Sequence, residues 1–257
     1  RAVSGIVGVL VAALFIIVIL KFRQRKDIVL YASTTLFFTV LQAILGAIAV
    51  VKEQSSATMA LHFGFSLLAF TTTLLLAIAL SRLDRPAHSS GWGEEAIMNG
   101  PSVSNGFRAL VWFACVYTYI VVYTGAFMVH TESWAGCQGW PLCNGQVIPS
   151  LSGDAAIAFF HRIAALLLLI VIVWMAVSAF RRYGDIREIR TVSALSLLLV
   201  ALQMASGAFV VFSLTDANWL LLTSLVHTVL ISALFGLLCY LSILVWQMKT
   251  SNGKADR

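Results

Sequence analysis

Long runs of apolar residues alternate with short polar segments along the whole chain. Seven of these runs are long enough to cross about 30 Å of hydrocarbon at about 1.5 Å per residue, and none alternates apolar and polar residues as a barrel strand does. A helix is the structure that bonds all its own backbone groups inside lipid. We therefore predict an all-α polytopic membrane protein with transmembrane segments 1 to 7 at residues 2–20, 28–51, 57–80, 107–129, 154–180, 190–213 and 219–247.

Composition agrees with a membrane protein, since 60% of the residues are hydrophobic and only 11% are charged. The net charge of +6 does not indicate nucleic-acid binding, because the basic residues lie in short loops at the ends of the segments. Fourteen of the 17 Lys and Arg residues share one side: Lys21, Arg23, Arg25, Lys26, Arg82, Arg85, Arg108, Arg181, Arg182, Arg187, Arg190, Lys249, Lys254 and Arg257. The positive-inside rule places that side, including the C-terminus, in the cytoplasm.

The chain contains two copies of one unit. "RAVSGIVGVLVAALFII" from Arg1 aligns with "RIAALLLLIVIVWMAVS" from Arg162, and the same offset lays "LQAILGAIAVV" on "LQMASGAFVVF". Segments 1 to 3 thus correspond to segments 5 to 7, while segment 4 and its loop have no counterpart before Arg1. We expect the complete protein to be a pseudo-twofold pair of four-helix bundles, eight helices in all, with a helix and a histidine preceding Arg1.

The repeat and the polar segments divide the chain into four parts. We predict an N-terminal bundle lacking its first helix at 1–83, a Gly- and Ser-rich cytoplasmic linker at 84–106, a C-terminal four-helix bundle at 107–248 and a cytoplasmic tail at 249–257.

Three histidines lie at one depth in the membrane. His62 and His227 occupy matching positions of the repeat, and His161 lies near the outer end of segment 5. A histidine in lipid is costly unless it is paired, so it is either a satisfied structural residue or a functional one. Matched positions favour function, and His161 and His227 of one bundle suit the two axial positions of a haem iron. A lone zinc would need further ligands.

Other polar residues near this depth have two interpretations each. Arg162 either binds a haem propionate or reaches outward to the membrane interface. His130 and Glu132, in "VHTESWAG", either contact propionates or a substrate, or form an interfacial polar cluster. Three glycines that precede alanine admit either close helix packing or a flat macrocycle: Gly46, Gly125 and Gly207.

Four cysteines are present, and two of them share the outer loop between segments 4 and 5, in "CQGWPLCNG". Loop length and compartment permit a disulfide between Cys137 and Cys143, and a thiol pair used in metal or redox chemistry is the alternative. Cys115 and Cys239 lie inside segments, where cysteine usually acts as a small buried apolar residue.

The chain resembles the heme A synthase family. The resemblance rests on "VYTYIVVYTGAF", the adjoining "HTES", the outer cysteine pair, "HRIAA", and "LQAILGAIAVV" followed by "MALHFG", and it runs from the first residue to segment 7. It implies an oxidoreductase of the bacterial plasma membrane that oxidises the C8 methyl of haem O to a formyl group, giving haem A for cytochrome oxidase assembly. A di-haem cytochrome b-type electron carrier and a haem transporter or chaperone are the alternative interpretations.

The resemblance also implies the site residues. His161 and His227 match the ligands of a permanent haem b in the C-terminal bundle, and His62 matches one axial ligand of haem O or haem A in the N-terminal bundle. The family's partner histidine and a glutamate precede the position of Arg1, so we expect this chain to bind one haem, with turnover depending on residues before Arg1. A haem O synthase, which farnesylates protohaem, is the implied partner, and the sequence does not name the electron acceptor.

Overall fold

The computed structural model describes residues 2–51, 55–83 and 102–251, apart from the side chains of Ala49 and Ser251. Within these residues seven α-helices form, each of 21 to 31 residues. Each predicted segment overlaps one helix, with boundaries that differ by a few residues. The helices are α1 (Ala2–Phe22), α2 (Lys26–Val51), α3 (Ser56–Ser81), α4 (Asn105–His130), α5 (Gly153–Arg182), α6 (Arg187–Phe212) and α7 (Ala217–Gln247).

All seven helices are long and apolar enough to cross a membrane. Large apolar side chains on their outer surfaces, such as Leu20, Phe37, Trp174 and Val229, are more than half exposed in the protein alone. In lipid these side chains meet hydrocarbon rather than water. The prediction of an all-α polytopic membrane protein is confirmed.

The chain divides into two compact units, Arg1–Ser90 and Gly91–Arg257. In the first unit, α2 packs against both α1 and α3. Val18 of α1, Ile28 and Ala32 of α2 and Leu76 of α3 form a buried apolar cluster. The order of packing is the one that α5, α6 and α7 show in the second unit, in agreement with the sequence repeat.

In the second unit the four helices form a closed ring. Helix α4 packs against α5 and α7, and α6 packs against the same two helices. Helices α5 and α7 therefore lie across the bundle from each other, as in other four-helix bundles. A residue on the inner face of α5 and one on the inner face of α7 can approach a common point between them.

A short parallel strand pair joins the start of α4 to the end of the described chain. Strand β1 (Val103–Ser104) pairs with β2 (Thr250–Ser251). Arg108 donates from Nε to the Val245 carbonyl oxygen at 2.8 Å and from Nη2 to the carbonyl oxygen of Met248. These contacts fix the segment after α7 to the first turn of α4.

Residues 103–106, which we predicted as the end of a linker, thus form β1 and the start of α4, and 250–251 of the predicted tail form β2. Residues 84–101 of that linker and 252–257 of the tail lie outside the described residues.

Candidate functional site

His161 is positioned by a threonine on the neighbouring helix. His161 lies on α5 about 12 Å from the start of that helix. Its Nδ1 atom is 3.0 Å from Oγ1 of Thr124 on α4. The Thr124 hydroxyl donates its own proton to the Val121 carbonyl oxygen at 2.8 Å, so it accepts the hydrogen bond from His161. With Thr124 as the acceptor, we assign the proton of this imidazole to Nδ1 and the lone pair to Nε2.

His227 has an equivalent arrangement on α7. Its Nδ1 atom is 2.8 Å from Oγ of Ser206 on α6, and Ser206 donates to the carbonyl oxygen of Gln203 at 2.9 Å. Ser206 therefore accepts the Nδ1 proton of His227. The Gln203 side-chain Nε2 lies 2.9 Å from Nε2 of His227 and donates to its lone pair.

The two imidazoles fit the axial positions of a haem. They lie on α5 and α7, which face each other across the bundle. In the tautomer assigned to each of the two histidines, the lone pair is on Nε2, the nitrogen farther from the backbone. Among the described residues no group of three or more His, Cys, Asp or Glu side chains is arranged to hold a bare metal ion. This donor set suits a metal that brings its own equatorial ligands.

Each of the three histidines lies against a glycine of an adjacent helix. A Cβ atom built on Gly125 would lie 2.8 Å from Cε1 of His161, and one on Gly207 would lie 3.3 Å from Cε1 of His227. The corresponding distance from Gly46 to Cε1 of His62 is 3.8 Å. The structure places these glycines beside imidazole rings, and the two roles given by the sequence, close helix packing or room for a macrocycle, stay predictions.

His62 on α3 differs from the other two histidines. Its Nδ1 atom is buried and has no hydrogen-bond partner among the described residues. Gln42, the repeat counterpart of Gln203, donates to the backbone carbonyl oxygen of His62 at 2.9 Å rather than to its ring. The position that corresponds to Ser206 is Leu45, which has no hydroxyl group.

Arg162 binds the loop between α4 and α5. Its guanidinium donates from Nη2 to the Cys137 carbonyl oxygen at 2.6 Å, and from Nη1 to the carbonyl oxygens of Gly139 at 3.0 Å and Leu142 at 3.2 Å. The side chain thus reaches outward and fixes the backbone of this loop. Propionate binding by Arg162, the other interpretation, stays a prediction.

The same loop, residues 131–152, is held at several further points. A disulfide links Cys137 and Cys143, both of which are buried. Ser133 donates to Oδ1 of Asp154 at 2.9 Å, which attaches the loop to the first turn of α5. Gly136 lies so close to the backbone of Asp154 that a Cβ would approach its carbonyl carbon to 2.5 Å. We name this segment the cysteine loop; it packs over the end of α5 that carries His161.

His130 is the last residue of α4, is partly buried and interacts with other groups of the protein. Glu132 is exposed and has a positive φ of 57°. Nothing in their surroundings selects between haem contact and an interfacial cluster, so both roles stay predictions.

Two further cysteines meet inside the second unit. Cys115 of α4 is buried, and its Sγ atom lies 3.4 Å from Sγ of Cys239 on α7. Both are free thiols. The sequence predicted small apolar residues at each position but did not show that the two face each other.

Sequence reasoning missed the residues that orient the imidazoles. Thr124 and Ser206 each come directly before a glycine that faces a histidine, in "TGAFMV" and "SGAFVV", and Leu45 holds this place in "LGAIAV". The available signal in the sequence was therefore whether the residue before each glycine carries a hydroxyl group. That signal can be interpreted only once the glycine is known to contact an imidazole ring.

Comparisons with known proteins agree with one another. A family model described as cytochrome oxidase assembly protein (COX15-CtaA) matches residues 1–239. A heme A synthase of Symbiobacterium thermophilum is 41% identical over 249 residues, which are 95% of this chain and 76% of the relative. A heme A synthase of Bacillus licheniformis is 38% identical over 247 residues (95% and 77%), and one of Alkalihalophilus pseudofirmus is 34% identical over 245 residues (95% and 78%).

Proposed function

The chain belongs to the COX15-CtaA family of cytochrome oxidase assembly proteins, and from this premise we propose that it is a heme A synthase, an oxidoreductase that converts haem O into haem A. The reaction oxidises the C8 methyl group of haem O to a formyl group. The product serves the assembly of cytochrome oxidase.

The second unit holds a haem b through His161 and His227. The observation that supports this assignment is the hydroxyl group beside each Nδ1 atom: with Thr124 and Ser206 as acceptors, both histidines direct an Nε2 lone pair away from these contacts. Because α5 and α7 lie across the ring from each other, His161 and His227 would hold a haem between them. Gln203, which donates to Nε2 of His227, would have to release that atom for iron to bind there.

When bound, haem b supplies one-electron redox chemistry. The residues of this chain hold and orient it. The two histidines fix the iron, the glycines at 125 and 207 leave room for their rings, and Arg162 holds the cysteine loop over the end of α5. The apolar helices around the site exclude water.

The first unit binds the substrate. His62 is its candidate axial ligand, and the buried, unpartnered Nδ1 atom of this residue is the support for a binding role. With water as the oxygen source, oxidation of the methyl group to a formyl group releases four electrons and four protons, and a haem b held by the second unit would supply the one-electron chemistry that passes these electrons on to an acceptor.

The protein lies in the bacterial plasma membrane with its C-terminus in the cytoplasm. Support for this orientation is the concentration of Lys and Arg on the side of the chain that includes Arg108 and Lys249. The cysteine loop is then on the outer side, where a disulfide is stable. A haem O synthase, the enzyme that farnesylates protohaem, supplies the substrate.

The test is to coexpress the full-length protein with a haem O source and to separate its acid-extracted haems by chromatography. We expect haem A together with haem b from the wild type. His62→Ala should retain haem b and give no haem A, whereas His161→Ala and His227→Ala should lose haem b. His88→Ala, a histidine of the predicted Gly- and Ser-rich linker rather than of a transmembrane segment, is the control and should behave as the wild type.

Two other outcomes would replace this proposal. A wild-type protein that keeps two haems tightly and returns haem O unchanged would be an electron carrier of the di-haem cytochrome b type. Reversible release of unmodified haem to an acceptor protein, with no formyl product, would indicate a haem transporter or chaperone.

A further inference from the structure

The two repeats differ at a position that determines the surroundings of an axial histidine. The residue before the histidine-facing glycine is Ser206 in the second copy and Leu45 in the first. Helix α4 has Thr124 at this place, directly before Gly125. Two histidines of the second unit thus have a hydroxyl partner, whereas the corresponding position of the first copy carries an aliphatic side chain.

Each of the two hydroxyl groups has a backbone carbonyl oxygen of its own helix to donate to. Ser206 gives its proton to the carbonyl oxygen of Gln203, and Thr124 gives its proton to that of Val121. Each oxygen is then an acceptor for an imidazole Nδ1–H group. This contact fixes both the tautomer and the rotation of the ring.

His62 receives no such contact among the described residues. Its Nδ1 atom is buried without a partner. The hydrogen bonds from Gln42 and Ser66 both go to the backbone carbonyl oxygen of His62, each at 2.9 Å, and leave the ring unconstrained. No described protein group selects which ring nitrogen carries the proton.

We propose that the residue before each glycine is a positioning residue that sets how firmly the adjacent histidine holds a haem iron. The hydroxyl groups of Thr124 and Ser206 suit a haem that stays, and Leu45 suits a haem that arrives as substrate and leaves as product. The inference rests on the proposed function, and it adds the chemical reason why two sites of one repeat retain haem differently.

The physical reason lies in the metal–ligand bond. An imidazole that donates its Nδ1 proton is held in orientation and gives more electron density to the iron, and loss of such a partner typically lowers metal affinity by about 10- to 100-fold. The extra electron density favours ferric iron. Removing the partner should therefore raise the reduction potential of the haem as well as its rate of loss.

The experiment uses four variants of the haem-loaded protein. Ser206→Ala removes the hydroxyl acceptor of His227, and Ser206→Thr keeps a hydroxyl group there. Leu45→Ser introduces a hydroxyl group at the corresponding position of the first unit. Ser196→Ala is the matched control, because Ser196 is a buried serine of the same helix that bonds only the Val192 carbonyl oxygen of its own helix. The measurements are haem transfer to apomyoglobin, the reduction potential of the resident haem and the low-spin electron paramagnetic resonance signal.

We expect Ser206→Ala to speed haem b transfer by about tenfold or more and to raise the reduction potential. Ser206→Thr should return both quantities toward the wild-type values, and Ser196→Ala should change neither. Leu45→Ser should slow the loss of haem O and haem A, identified by chromatography, by about tenfold.

One outcome is that Ser206→Ala keeps the electron paramagnetic resonance signal of a bis-imidazole haem and shows the wild-type haem transfer rate and reduction potential. That result would overturn this inference and leave the proposed function intact. A wild-type signal without bis-imidazole character would overturn the ligand assignment of the proposed function, and this inference with it. Faster transfer without a shift in potential would show a packing effect, and it too would overturn a positioning role.

Discussion

The hydroxyl of Thr124 lies 3.0 Å from Nδ1 of His161, and because it donates its own proton to a backbone carbonyl it acts on the ring as an acceptor. A threonine inside an apolar helix thereby determines which nitrogen of a histidine on the next helix is available to a metal.

Thr124→Val tests this contact with a side chain of the same shape. The Nδ1–H group of His161 would be left buried without an acceptor, at a cost of about 1–3 kcal/mol. We expect a lower melting temperature and faster haem b loss, measured by thermal scanning and by haem transfer to apomyoglobin. Thr124→Ser keeps the hydroxyl and is the control; equal behaviour of the two variants would contradict the prediction.

Alanine at the three histidine-facing glycines should give a graded series. The Cβ would lie 2.8 Å from the ring at Gly125, 3.3 Å at Gly207 and 3.8 Å at Gly46. Overpacking typically costs about 1–3 kcal/mol, so Gly125→Ala should displace His161 and reduce bound haem b most strongly. Gly207→Ala should have a smaller effect, and Gly46→Ala should leave haem b content unchanged. Haem b per protein, from the pyridine haemochrome spectrum, gives the order, and any other order would contradict the geometry.

Arg162→Lys separates loop anchoring from propionate binding. Lysine keeps the positive charge but cannot reproduce the contacts of the guanidinium with the three carbonyl oxygens of Cys137, Gly139 and Leu142. We expect faster proteolysis of the cysteine loop and a loss of about 2 kcal/mol of stability, with an unchanged haem b spectrum. A shifted haem spectrum with an intact loop would support the propionate role instead.

The disulfide of the cysteine loop should stabilise the outer end of the bundle. It closes a short loop with a sequence separation of 6, for which chain entropy gives about 2 kcal/mol. The double variant Cys137→Ser with Cys143→Ser should therefore melt at a lower temperature than the wild type. The double variant Cys115→Ser with Cys239→Ser removes two thiols without opening that loop and serves as the comparison.

A membrane-permeant thiol oxidant should join α4 to α7. The Sγ atoms of Cys115 and Cys239 lie 3.4 Å apart, so disulfide formation needs only a small approach of the two. We expect a linked pair of peptides in a digest analysed by mass spectrometry, and no link in Cys239→Ser. A wild-type protein that stays unlinked under full oxidation would show that the two helices do not meet at this level.

The seven helices could be predicted from sequence because each is a continuous apolar run, and lipid permits few alternatives to a helix. The sequence also predicted that the histidines of α5 and α7 lie in one bundle and can approach a common point. The repeat and the four-helix bundle place His161 and His227 on helices that face each other. The hydrophobic pattern does not determine how each helix is rotated about its own axis. The meeting of Cys115 with Cys239 depended on that rotation and could not be read from apolar residues alone.

Contacts to backbone atoms were also beyond prediction. The partners of Arg108 and Arg162 are mostly main-chain carbonyl oxygens, which are present at every residue and leave no pattern in the side chains. The pairing of β1 with β2 covers two residues on each strand, too few to produce an alternation.

Main-chain recognition by Arg162 has an evolutionary consequence. Leu142 offers its carbonyl oxygen to the guanidinium while its side chain points partly to the surroundings, 43% exposed. Substitution of Leu142 among relatives should therefore be nearly neutral, whereas Arg162 should resist exchange, so that the loop can diversify at Leu142 while Arg162 continues to fix its backbone.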